Sequence, residues 1–180
     1  IDALMRQNTL GRRGYDREGR LVSRGTVYHR LPKQMLRHPF LRQRPPKSTG
    51  REQFGQSYSE WFHRQAQSLD LSPEDMIATA TAFTAATIAQ AYRKFLPEMP
   101  DEVILCGGGA HNATLIAMLQ KELADVKIGN SDESGIDIDA KEAISFAILA
   151  LKTFNGVANN VPSATGADGP VVLGKIVPAR

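Results

Sequence analysis

The 180 residues are 42% hydrophobic and 23% charged, a balance that reads as a soluble globular chain with length enough for one domain and a substantial core. No basic segment followed by an apolar run marks a leader, and no stretch nears the roughly 18 apolar residues a membrane span needs. Cys106 is the single cysteine, which excludes an intrachain disulfide and fits a reducing, intracellular setting. The net charge of +3 hides an asymmetry: residues 1–64 hold 14 Lys/Arg against 5 Asp/Glu, and residues 65–180 hold 8 against 14. The arginines of the basic half are scattered among Gly, Pro and His, without the interleaved aromatics of a base-stacking surface. That pattern argues against nucleic acid and for a solvated face or a phosphate-handling cleft.

In chain order, residues 1–8 read as the tail of an amphipathic helix, and a start at Ile1 suggests a fragment or a processed chain. Residues 9–25 are rich in Gly and Arg, with a turn at Tyr15-Asp16-Arg17-Glu18-Gly19. A short helix is expected within 26–38, stopped near Pro39. Residues 39–52 read as a polar loop stiffened by Pro45-Pro46. Phe54, Tyr58, Trp61, Phe62 and Gln65 recur at helical spacing, and core packing is the simplest use of these aromatics. Ser72-Pro73-Glu74-Asp75 predicts a strong helix start, with a side-chain cap, a proline in the first turn and acidic residues at the positive end. That helix runs to about Phe95, and its dense Ala/Thr middle would let a neighbour approach closely. Glu102–Cys106 reads as a buried parallel strand. A helix from about Asn112 to Leu123, a strand at Val126–Ile128, and a helix opened by Asp139 and running to about Phe154 follow. A last short strand is expected near Val171–Leu173. The strand-helix-strand-helix order predicts an α/β layer.

Three segments carry chemistry. The first is Leu105-Cys106-Gly107-Gly108-Gly109-Ala110-His111-Asn112. Glycine lets backbone approach a ligand unobstructed, and the following helix offers free N–H groups to an anion at the carboxyl end of a strand. A tight turn needs one or two glycines, so three in a row favour ligand approach over a purely structural turn. Neither G-x-G-x-x-G nor the Walker pattern is met. The second is Arg44-Pro45-Pro46-Lys47-Ser48-Thr49-Gly50-Arg51-Glu52. Its cations and hydroxyls suit a phosphate or a sugar, and equally a helix start capped by Ser48 or Thr49 with Glu52 in the first turn. The third, Ser131–Asp139 followed by Glu142, concentrates carboxylates but misses the EF-hand pattern. Asp139 is expected to cap its helix, and Glu142 to face either the helix end or a ligand hydroxyl. The histidines lack zinc-ligand spacing, and no serine sits in G-x-S-x-G.

Taken together and in this order, these segments resemble the C-terminal half of the anhydro-N-acetylmuramic acid kinase family, which includes the levoglucosan kinases. The matching stretches are Tyr15-Asp16 with Gly19, Pro45–Glu52 with Phe54, Cys106–Asn112, Asp132-Glu133 with Gly135, Lys141-Glu142-Ala143 with Phe146-Ala147, and Thr165-Gly166-Ala167 before Val172-Leu173-Gly174. They span nearly the whole chain.

The resemblance implies an α/β fold: the C-terminal, nucleotide-binding lobe (residues 1–180) of an actin-like, ribonuclease-H-like two-lobe sugar kinase, with a mixed sheet flanked by helices. It implies ATP-dependent phosphorylation of a 1,6-anhydro sugar with hydrolytic ring opening, and Mg2+ held mostly outside this chain. By the same resemblance Gly107, Gly108, Gly109, Ala110 and Asn112 would bind the nucleotide. Glu142, with Lys47, Ser48, Thr49 and Arg51, would face the sugar. The family's phosphate loop and its catalytic aspartate are expected upstream of Ile1, so the isolated chain is expected to be inactive and to need a missing N-terminal lobe. Anhydro-N-acetylmuramic acid is placed ahead of levoglucosan as substrate. A non-catalytic nucleotide-binding module is the reading from another class. A cytoplasmic location, no membrane partner and no nucleic acid follow, and a homodimer is left open.

Overall fold

The longest helix organises the chain. In the computed structural model, which describes residues 1–177, α6 spans Pro73–Phe95, and Ser72 caps it by accepting the Asp75 N–H at 3.1 Å. Its small side chains do what their size permits. Ile77, Ala78, Thr79, Thr81, Ala85 and Ala89 are all buried. The first half of α6 packs into one core cluster and the second half into another.

The first cluster collects α1 (Asp2–Asn8), the 3-10 turn Val22–Arg24, α2 (Arg30–Met35) and α5 (Gln56–Gln67) against α6. Leu4, Met5, Val22, Met35, Phe62 and Ala66 are its buried members outside α6, with Leu31. Polar ties hold the loop before α2 to α6. The Thr26 N–H donates to the Asp75 carboxylate at 2.6 Å and the Tyr28 N–H to Thr79 Oγ1 at 3.0 Å. Gly25 is required there, since a Cβ would lie 2.1 Å from the Glu74 carbonyl oxygen. The expected loop at 39–52 contains a one-turn helix, α3 (Pro39–Arg42), started by His38 accepting the Phe40 N–H. The aromatic segment is two helices, α4 (Arg51–Phe54) and α5, broken at Gly55. The core-packing reading of its aromatics holds for Phe62, and Phe54, Tyr58 and Trp61 stack on one another beside Phe83.

The second cluster is a strand-helix-strand unit. β1 (Glu102–Leu105) pairs in parallel with β2 (Lys127–Asn130), Val103 opposite Ile128, and α7 (Ala113–Glu122) crosses between them and packs on α6. Among the described residues the sheet is these two parallel strands, so its mixed character is not seen there. The expected strand at 171–173 is absent, for a physical reason. The Asn159 and Asn160 side chains take the Leu173 and Val171 N–H groups, occupying donors that a strand would pair.

Beyond the sheet come α8 (Lys141–Phe154) and the one-turn α9 (Pro162–Thr165). Asp139 does not cap α8. Asp137 Oδ1 accepts the N–H groups of Asp139 and Ala140 at 2.9 and 3.0 Å, an Asx arrangement available to either aspartate. α8 has no buried residue.

Candidate functional site

The glycine run closes β1. Gly107 adopts φ 74°, a left-handed conformation natural to glycine, and donates its N–H to the Ile138 carbonyl at 2.9 Å. Gly108–His111 then form a 3-10 turn before α7, so the helix does not follow the glycines directly. A Cβ on Gly107 or Gly108 would meet nothing within 4 Å, and one on Gly109 only a Leu115 methyl at 3.8 Å. The protein itself therefore makes no steric demand for glycine at Gly108 and Gly109, and their bare backbone faces open space. Asn112 is buried and caps α7, its Oδ1 accepting the Leu115 N–H at 2.9 Å.

A second turn is laid against this one. Both Asp16 carboxylate oxygens accept backbone N–H groups, Leu21 and Val22, at 2.9 Å each. Gly19, at φ 70°, touches the Asn112 side chain so closely that a Cβ would fall 2.3 Å from its Oδ1. The turn at 15–19 is thereby fixed above the start of α7, and it leaves Tyr15 63% exposed.

Between the two turns lies a cavity of about 940 Å³. Gly108, Gly109, His111 and Asn112 form one wall, residues 14–18 another, and Ile1, Asp2 and Arg6 of the chain start a third. Arg6 and Arg17 are its arginines. His111 Nε2 donates across its rim to Asp139 Oδ1 at 2.8 Å, and that carboxylate's hydrogen bond and charge hold the imidazole pKa above the usual value. Of the predicted nucleotide residues, Gly108, Gly109 and Asn112 line the cavity, while Gly107 and Ala110 shape the turn behind them.

A larger cavity, about 1110 Å³, adjoins it and shares Ile1, Asp2 and Arg6. Arg51, Gln7, Tyr58, Thr84 and Thr87 are among its polar lining. Gln7 Oε1 and the Tyr58 hydroxyl are buried there without a hydrogen-bond partner. Burial pushes the Tyr58 pKa up to about 12. Unpaired buried polar atoms are costly, and both residues line this cavity, so a side-chain shift that turned either atom toward it would let it pair with a hydroxyl-rich ligand.

The predicted sugar loop divides. Arg51 lines the larger cavity. Lys47 turns away, donating to the Phe40 carbonyl at 3.1 Å and lying over the Phe40 and Phe95 rings at 4.7 and 4.4 Å. Burial, with the neighbouring Lys94 charge, lowers its pKa. Thr49 Oγ1 donates to Glu52 at 3.3 Å and the Gly50 N–H donates to the same oxygen, so Glu52 serves the first turn as expected, while Gly50 takes the cap position and neither Ser48 nor Thr49 caps the helix. Backbone hydrogen bonds hold the Glu52 carboxyl below the ordinary range. Ser48 is exposed in the same loop, and Glu142 is exposed in the first turn of α8, in the wall of neither cavity.

Sequence reasoning missed Asp2, Arg6, Gln7 and the placement of Arg17. The sole signal for the first three was a helix tail, which says nothing of what it borders. Asp2 has no hydrogen-bond or ion-pair partner among the described residues and faces both cavities. The carboxylates of 131–139 are largely spent on backbone: Glu133 on the Asn130 N–H, Asp132 on that of Ile138, Asp137 as above. Among the described residues no three His, Cys, Asp or Glu side chains group to hold a metal ion, and no helix is long and apolar enough to cross a membrane.

The family model described as anhydro-N-acetylmuramic acid kinase matches residues 1–179. Curated proteins of that name are similar along the same length. The one from Caldanaerobacter subterraneus is 42% identical over 178 residues, covering 98% of this chain and 45% of the relative. The one from Acaryochloris marina is 44% identical, covering 98% and 46%, and that of Gloeobacter violaceus 45% identical, covering 92% and 43%. The chain spans about half the length of the curated relatives it matches.

Proposed function

The chain belongs to the anhydro-N-acetylmuramic acid kinase family, and from that premise we propose that its two cavities are the nucleotide and sugar sites of one phosphotransferase, seen from one side. The observation that carries this reading is their common wall. Ile1, Asp2 and Arg6 border both the glycine-turn cavity and the cavity holding Arg51, Gln7 and Tyr58. Phosphoryl transfer needs donor and acceptor held side by side, with cations at the transferred group.

In this reading ATP lies with its adenosine part against Gly108 and Gly109, where a side chain would take the ligand's place. Arg6 and Arg17 offer charge-assisted hydrogen bonds to the phosphates. The 1,6-anhydro sugar occupies the larger cavity, where the side chains of Gln7 and Tyr58, once turned toward it, would accept from a sugar hydroxyl and donate to a sugar oxygen. Glu142 lines neither cavity, so no contact with the sugar is assigned to it in this arrangement. Mg2+ would enter on the triphosphate, where it neutralises charge. Asp16, Glu18 and Asp139 are engaged by backbone, arginine and histidine partners, which leaves Asp2 as the carboxylate of this cavity free to meet it.

The partnered carboxylates of the glycine-turn cavity, Asp16, Glu18 and Asp139, are engaged by backbone, Arg20 and His111, and the chain spans about half the length of its curated relatives. The isolated 180 residues are therefore expected to bind nucleotide without turning over the sugar, and to act only with the remaining part of the two-lobe enzyme, in the cytoplasm. Anhydro-N-acetylmuramic acid is the expected acceptor, ahead of levoglucosan, because curated relatives carry its name. The test is radiolabelled phosphate transfer from ATP. The isolated chain should label neither sugar. A fusion carrying the uncovered stretch of the Caldanaerobacter relative should label anhydro-N-acetylmuramic acid faster than levoglucosan. Turnover by the isolated chain, or a preference for levoglucosan, would refute the reading.

A further inference from the structure

Tyr15 lines the glycine-turn cavity and is 63% exposed. A single apolar residue on open surface needs no explanation. An aromatic ring left bare in the wall of a cavity is different, because it presents a large face to whatever enters. The backbone that carries this ring is anchored on both sides. Before it, Arg6 Nη1 donates to the Gly14 carbonyl at 3.3 Å. After it, Asp16 is buried, and its two carboxylate oxygens take the Leu21 and Val22 N–H groups. The turn is then tied to α7, where Thr114 Oγ1 donates to the Gly19 carbonyl at 3.4 Å and Asn112 leaves no room for a side chain on Gly19. A tyrosine on such a fixed backbone offers broad contact area for the ordering of only two χ angles.

The other turn supplies bare backbone, at Gly108 and Gly109, and a Cβ on Gly108 would meet nothing within 4 Å. Most polar side chains around the cavity are already occupied. Asp16 is held by backbone, Glu18 by Arg20, Asp139 and His111 by each other, and Asn112 Oδ1 by the Leu115 N–H. The remaining charged groups, Asp2, Arg6 and Arg17, suit phosphates and their metal ion better than a neutral ring. We propose that Tyr15 is the platform on which the base of the nucleotide stacks, between the two turns, and that it selects purine nucleotides as a class without separating adenine from guanine. This inference rests on the nucleotide reading of the cavity and deepens it. Stacking on an aromatic ring is tolerant of the base's edge, because every base has a π-face. A two-ring purine covers more of the tyrosine than a pyrimidine does. Strong discrimination between bases of equal size needs side chains free to hydrogen-bond their edges, and here those side chains are spent.

The test is calorimetric titration of the purified chain with the magnesium salts of ATP, GTP, CTP and inorganic tripolyphosphate, the last having phosphates and no base. The parent should bind ATP and GTP within about fivefold of each other, and CTP more weakly than both. Tyr15→Ala should weaken ATP and GTP roughly tenfold or more, as loss of a stacking partner does, and leave tripolyphosphate within about twofold. Tyr15→Phe keeps the ring and should bind like the parent. Because Tyr15 is exposed, the variants should share the parent's thermal midpoint. If Tyr15→Ala lowers it, Tyr15→Leu, which keeps bulk without a ring, replaces it with the same loss expected. A second readout is the fluorescence of etheno-ATP, which should be quenched on the parent and on Tyr15→Phe and not on Tyr15→Ala. Equal tripolyphosphate and ATP losses in Tyr15→Ala, or a Tyr15→Phe as weak as Tyr15→Ala, would overturn the platform. A wider gap between ATP and GTP, or CTP bound as tightly as ATP, would overturn the purine selection. A parent that binds no ATP would sink the nucleotide reading and this inference with it, whereas ATP bound equally by the parent and Tyr15→Ala would overturn this inference alone.

Discussion

Two helices of this chain, α6 and α8, carry similar proportions of apolar residues and meet opposite fates. α6 buries Met76 through Thr81, and again Ala85 and Ala89, under neighbours from both core clusters. α8, with larger side chains, buries none. Apolar content therefore does not decide burial; the presence of a covering element does. α6 has its partners within these 180 residues, so it forms the floor on which the larger cavity stands, through Ala80, Phe83, Thr84 and Thr87. α8 has few, and the difference marks where the self-contained body of the chain stops.

The sharpest way to break this comparison is to truncate a phenylalanine on each side of it. Phe62→Ala, under α6, should cost about 3–5 kcal/mol. Phe146→Ala, on α8, should change stability by no more than about 0.5 kcal/mol. Urea unfolding of the two variants measures both, and equal losses would mean that α8 is packed after all. A smaller contrast lies in two glycines. Gly25→Ala drives a Cβ against the Glu74 carbonyl at the start of α6, and should destabilise by about 1–3 kcal/mol. Gly108→Ala points into open space, and its thermal midpoint should match the parent's. The smallest effect concerns the link between the glycine turn and the approach to α8. The Asp139 carboxylate raises the His111 pKa above its ordinary 6.5. Any stability from this pair is fully present below about pH 6.5 and is lost as pH rises through the raised value. Proton NMR should find the His111 titration at lower pH in Asp139→Asn; an unmoved titration would remove the pair from the account.

Much of the body was readable before any coordinates, because its signals are local. Ser72-Pro73-Glu74-Asp75 starts a helix by hydrogen bonding within one turn, and the strand, glycine turn and α7 follow from a contiguous pattern. Where local chemistry offers equivalent choices, reading failed. Asp137 and Asp139 offer the same carboxylate ahead of α8; Asp137 takes N–H groups of the turn, Asp139 pairs with His111, and neither caps the helix. Lys47 looked like a ligand cation, but Phe95, distant in sequence, joins the nearby Phe40 to give it a half-buried seat. Arg6 and Asp2 border the cavities only because α1 is docked beside α5 and α6. The periodicity of α8 announces an apolar face and contains no information on which polypeptide covers it.

The claim on which the function rests is that the glycine turn receives a nucleotide, and calorimetric titration of the purified chain with Mg-ATP tests it most directly. Saturable one-site binding is expected, weakened at least tenfold by Gly108→Val while the unfolding midpoint stays within a few degrees, because the new side chain would enter ligand space from a Cβ that meets no protein atom within 4 Å. Absence of binding, or binding that Gly108→Val leaves unchanged, would contradict it.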